Sequence, residues 1–212
     1  MRRAFRRWGR PGAFRVDNGG PWASKGDLPT DLALWLLGLD VPVHCNPPRR
    51  PQSNGVVERM QAVAEAWGEP HTCHSPEELH QRLQRMDHIQ RAEYPHREGR
   101  SRLEVYPELA HSGREYSAAW ERRHWSLERV LEALAGYVVR RQVDRKGMIS
   151  IYNRNYYVGE KQRGRVVYVL FDPQAREWVC TDEQDRQLRR WPAPEICRKR
   201  ILSLDVSHKR ER

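Results

Sequence analysis

The hydrophobic periodicity of this 212-residue chain changes once, near Gly136, and that change limits what it can fold into. Before it, apolar residues recur at helical spacing; after it, they alternate. The rear segments "YVVRRQV", "MISIYN", "YYVG", "RVVYVLF", "EWVCT" and "QLRRW" read as short strands. "DRKG", "NRN", "EKQRG", "DPQAR" and "DEQD" separate them as turns. Short strands punctuated this way predict a small all-β barrel over residues 137–196. A basic tail follows over 197–212, with Arg198, Lys199, Arg200, Lys209, Arg210 and Arg212.

The front of the chain reads as helices joined by short strands. Residues 1–8 place Ala4, Phe5 and Trp8 on one helical face, and Gly9 and Pro11 end that helix. Phe14 and Val16 alternate with Arg15 as a short strand would, and that strand ends on Asp17. "DLPTDLALWLLGL" predicts a helix with Thr30 as its cap, and "VPVHC" a short strand. Prolines then break all regular structure in "NPPRRPQSNG", residues 46–55. A helix begins near Val56, with Val56, Met60, Ala64 and Trp67 as its apolar stripe. The next helix has Ser75 as cap, Pro76 at the first position and Glu78 closing a capping box. Residues 92–125 are mostly irregular, and a helix over 126–135 ends at Gly136.

Charge narrows the partners. Lys plus Arg number 38 against 28 for Asp plus Glu, a net charge of +10 that favours polyanions such as DNA or RNA. No apolar run approaches the length of a membrane span, and no secretory signal follows the Arg-rich start, so the expected location is the cytoplasm with no membrane partner. Cys45, Cys73, Cys180 and Cys197 form no C-x-x-C pair, which argues against a zinc ribbon. "HTCH" (His71, Cys73, His74) lacks a second ligand pair and reads as a polar surface loop.

The chemistry rests on two acids. Asp17 stands at a strand's carboxyl end in "RVDNGGPWAS"; Glu58 stands 41 positions later, in a helix's first turn, in "NPPRRPQSNGVVERM". Alone, the first reads as a turn residue and the second as an acid facing the helix dipole. Together, with a helix, a strand and a proline-rich loop between them, they can converge. Two such oxygen ligands suit Mg²⁺, and paired ions can clamp an in-line phosphoryl displacement.

These two stretches resemble the catalytic core of retroviral integrases and bacterial insertion-sequence transposases. The resemblance covers residues 1–112 and implies an RNase H-like α/β fold with a D, D, E triad holding two Mg²⁺ or Mn²⁺. Asp17 matches the family's second Asp and Glu58 its Glu, and an insertion near Trp22–Leu28 is implied. Asn54 and Gly55 would shape the turn presenting Glu58, while Arg49, Arg50 and Arg59 would lie near the DNA backbone. Residues 113–136 would be a linker and helix. The 137–196 barrel fits the place of a DNA-contacting domain, with Lys161, Arg163, Arg165, Arg189 and Arg190 at or near its turns. The family acts on mobile-element ends and target DNA, commonly as homo-oligomers.

The family's first Asp has no counterpart, since residues 1–16 contain neither Asp nor Glu. The resemblance therefore implies an N-terminally shortened core that lacks its first strands and is inactive alone. Two other readings stand beside it: a non-catalytic DNA-binding remnant or regulator of a mobile element, and a barrel that binds protein.

Overall fold

The computed structural model describes residues 1–17, 22, 28–47, 52 and 55–203. These residues hold mixed α/β structure. The helices are α1 (Arg2–Trp8), α2 (Asp31–Gly38), α3 (Gly55–Gly68), α4 (Pro76–His88), α5 (Arg102–Val105), α6 (Ala118–His124), α7 (Leu127–Ala135) and α8 (Arg198–Leu202). The strands are β1 (Phe14–Val16), β2 (Val43–Cys45), β3 (Pro95–Arg97), β4 (Arg100–Ser101), β5 (Val138–Gln142), β6 (Met148–Ile151), β7 (Arg154–Tyr157), β8 (Val166–Asp172), β9 (Glu177–Thr181) and β10 (Gln187–Pro192). They fall into two compact units, Met1–Gly12 with Asn46–Trp120, and Ala13–Cys45 with Glu121–Arg212. No helix among the described residues is long and apolar enough to cross a membrane.

The second unit is built around α2. Thr30 caps it by accepting from the Ala33 amide. Leu32, Ala33, Leu34, Trp35 and Leu36 are all buried, as are Leu39 and Val41 just beyond. A helix apolar on every side has to sit inside a core, and α2 packs against α7 and α8. It is also the crossover that lets β1 pair with β2 in parallel, with Phe14 opposite Val43 and Val16 opposite Cys45. On the α7 side, Val130, Leu131 and Leu134 turn inward, and Ser126 caps the helix.

Two indoles lock α2 to the segment before α7. The Trp35 Nε1 donates to the Glu121 carboxylate at 2.9 Å, and the Trp125 Nε1 donates to the Trp35 carbonyl at 3.0 Å. All these groups are buried, so each polar atom depends on its partner. The Trp125 ring lies so close to Gly38 that a Cβ there would come within 2.2 Å of it.

The six rear strands all form, but not as a closed barrel. Four make an antiparallel sheet in the order β10-β9-β8-β5, while β6 and β7 pair only with each other among the described residues. After β5 the chain bends at Asp144–Gly147, where the Asp144 carboxylate accepts from the Lys146 and Met148 amides. Gly147 then approaches Gly159 so closely that a Cβ would lie 2.8 Å from its carbonyl carbon. Past the bend the Asp144 amide donates to the Met148 carbonyl at 2.8 Å, and the Arg141 side chain to the Ser150 carbonyl at 3.1 Å. The β6–β7 turn is Tyr152–Asn153, both at positive φ, the conformation of a two-residue hairpin. The inner face of the four-stranded sheet is fully buried at Val139, Val167, Val169, Phe171, Trp178 and Cys180.

The first unit is smaller and less covered. Phe5 anchors α1 against Tyr116, edge to face at 5.5 Å. In α4 the Ser75 hydroxyl accepts from the Glu78 amide, but the Glu78 carboxylate reaches the His74 amide, one residue before the expected box position. A complete capping box instead forms in α5, between Ser101 and Glu104. Helix α3 forms where expected, yet Val56, Met60 and Trp67 are 78, 44 and 42% exposed. Its contact with α4 includes its last residue, Gly68, which packs on Leu79 and Leu83 and is its one buried residue.

Replacing Gly38 with Ala would drive a methyl into the Trp125 indole. The expected loss is about 1–3 kcal/mol of stability, measured by urea denaturation of the whole chain.

Candidate functional site

The parallel β1–α2–β2 element sets the position of Asp17. Val16 is buried and Arg15 exposed, as alternation requires, and Asp17 follows at the strand's carboxyl end with its side chain exposed. In open parallel sheets this is the end at which ligands bind. Phe14 stacks on Trp22 at 5.7 Å, and the Thr30 hydroxyl donates to the Trp22 carbonyl.

Glu58 lies in the first turn of α3 and is exposed, as is Arg59 beside it. Asp17 and Glu58 belong to different compact units. Arg49, Arg50 and Asn54 lie outside the described residues, as do Asn18 and Gly19 of the "DNG" motif and most of the segment 22–28 where an insertion is implied. Among the described residues, no group of three or more His, Cys, Asp or Glu side chains is placed to hold a metal ion. The chemistry of the two acids does fit a hard cation. Both are oxygen donors, and their exposure leaves room for the waters that Mg²⁺ retains.

The "HTCH" stretch behaves as a loop. His71 sits in a short 3₁₀ turn, the Cys73 thiol points to the Gly68 carbonyl at 3.5 Å, and the His74 amide is taken by Glu78. The four cysteines are free.

The basic residues of the rear strands divide into open and engaged. Lys161 lies in a 3₁₀ turn, Glu160–Gln162, and is exposed, as are Arg163 and Arg165. Arg163 pairs with Glu160 at 2.7 Å. This turn is held to β5 by the Gly164 amide on the Val143 carbonyl and the Val143 amide on the Arg165 carbonyl. Between them lies a shallow basin whose walls include Asp144, Arg145 and Arg163. Arg190 is different. Its guanidinium is held by Glu177 at 2.8 Å and by Asp172, so its charge is already balanced. Arg189 donates to the Val158 carbonyl.

Two features of the structure have no short-range signal. Glu195 is buried and accepts from the Trp178 indole at 2.6 Å and the Tyr156 hydroxyl at 2.8 Å. Burial and this carboxylate together push the Tyr156 phenol well above its ordinary value. Near the start of α2, the Arg200 guanidinium donates to Asp31 at 2.7 Å and lies 5.4 Å over the Tyr152 ring. The Tyr152 hydroxyl donates to the Pro29 carbonyl, and a cavity of about 360 Å³ opens beside these groups. Residues 169 positions apart, such as Asp31 and Arg200, offer the sequence reader no clue that they meet.

No protein-family model matches the chain.

Asp172 is held below the usual carboxylate value, chiefly by the Ala175 amide and then by Arg190. Its stabilising effect is therefore present above its unfolded value and lost as pH falls through its folded one. The melting temperatures of wild type and Asp172→Asn should differ at neutral pH and converge below about pH 4.

Proposed function

We propose that this chain acts on DNA as a member of the DDE transposase and integrase class. One observation carries the reading: Asp17 ends a strand of a parallel β–α–β element, and Glu58 opens the next long helix. That order and placement resemble the family's RNase H-like core, in which a strand-end Asp and a helix-start Glu share a metal site. In this reading Asp17 and Glu58 hold Mg²⁺ or Mn²⁺, which supplies charge stabilisation for phosphoryl transfer. The resemblance would give Arg59 a place near the DNA backbone and assign Arg49, Arg50 and Asn54, which lie outside the described residues, to the same region. The reading accounts for two of the family's three carboxylates.

A second reading needs neither acid. The turn carrying Lys161, Arg163 and Arg165 is exposed and tied to a rigid sheet. That is sufficient for phosphate contacts by a non-catalytic DNA-binding regulator.

The two readings separate on metal binding. Under the first, Mn²⁺ binds the chain as followed by paramagnetic resonance, and Asp17→Asn or Glu58→Gln weakens it by roughly tenfold or more. Under the second, both variants leave Mn²⁺ behaviour and duplex-DNA affinity as they were. An Mn²⁺ affinity insensitive to both substitutions would overturn the first reading.

A further inference from the structure

The least explained charge in the molecule is on α1. Residues 1–10 hold five arginines and no acid. Phe5 is 3% exposed and fixes which side of α1 turns inward. Arg3, Arg6 and Arg7 are spaced by three and four residues, so they share one helical face, and all three are exposed. Arg3 and Arg6 have no ion-pair partner among the described residues. Like charges at this spacing repel one another, so the folded chain gains nothing from grouping them.

Beside this open group lies a fixed one. The Arg7 guanidinium stands 4.8 Å over the Trp8 ring and that of Arg91 5.6 Å from it. Asp87 sits 3.7 Å from Arg7 and 3.6 Å from Arg91. One carboxylate thus offsets one of four positive charges, and stacking holds two guanidiniums in place. Pre-ordered guanidinium forks match phosphate oxygens.

We propose that the Arg3–Arg6–Arg7 face of α1, extended by Arg91, docks on the phosphate backbone of duplex DNA. The inference rests on the DNA reading above and adds a surface to it, in the other compact unit from the Lys161–Arg165 turn. Charge complementarity selects the occupant. The face spans about one helical turn, and a duplex presents one phosphate charge per ~1.7 Å of axis along it. A membrane surface would need apolar residues to bury, and the anchor Phe5 is already inside. A single strand would need a free ring to stack on, and two guanidiniums already occupy Trp8. The contacts go to phosphates, so they carry affinity and register without reading sequence.

The test is the salt dependence of binding, by fluorescence anisotropy with a labelled duplex and the full chain. Arg3→Gln/Arg6→Gln/Arg7→Gln changes exposed groups only, and a melting curve checks that it folds. Each lost phosphate contact removes about 0.9 from the slope of log affinity against log salt. The triple variant should therefore show a slope shallower by about two to three and an affinity at low salt reduced about tenfold or more. A parallel variant, Lys161→Gln/Arg163→Gln/Arg165→Gln, monitors the DNA reading separately. If that variant weakens binding while the α1 variant keeps the wild-type slope, the α1 surface is disproved and the DNA reading stands. If the unaltered chain binds no duplex at low salt, both are overturned.

Discussion

The meeting of α2 with the Glu121–Ser126 segment is the constraint from which the larger unit follows. Two tryptophans donate from the core, one to a carboxylate and one to a backbone carbonyl, and neither acceptor has water to replace its donor. Gly38 permits the contact because any side chain would meet the Trp125 ring. The free Gly38 carbonyl is then taken by the Ser126 amide and by Arg129. A helix end that would otherwise leave orphan carbonyls is thereby closed by tertiary partners. With α2 fixed, the parallel pairing of β1 and β2 is fixed too, and with it the place where Asp17 leaves its strand.

Glu195 repeats the device in the same unit. A buried acid is tolerated because an indole and a phenol donate to it, with Arg154 at 3.7 Å adding charge. It joins β7 to β9 and the segment after β10; backbone pairing links β9 to β10 but leaves β7 outside that sheet. Two further side-chain ties run within this unit, from Tyr152 of the β6–β7 turn to the Pro29 carbonyl and from Arg200 of α8 to Asp31 of α2.

Arginine does two different jobs in this chain. Arg190, Arg200 and Arg198 are structural: each is committed to carboxylates or carbonyls that hold elements together. Arg3, Arg6, Lys161 and Arg165 are exposed, and their charge faces solvent. The net charge of +10 says nothing of this division, which is what decides where a polyanion can sit. Lost pairing, not lost charge, is what substitution at Arg190 would expose.

Local order was readable in the chain itself. The caps at Thr30 and Ser75, the helix ending before Gly136, the strand ending at Asp17, the helix opening near Glu58 and all six rear strands follow from spacing and turn chemistry within a few residues. What distant segments do to one another was not. The barrel expectation failed because period-two patterning is the same for an open sheet and a closed one. The α3 stripe reads as core yet stays exposed, because amphipathic spacing marks a face without supplying a neighbour to cover it. Backbone preference and period are set by adjacent residues, so sequence determined them. Which side chain finishes a buried hydrogen bond, or cancels a given arginine, depends on atoms brought together across more than a hundred positions, and only tertiary packing decided that.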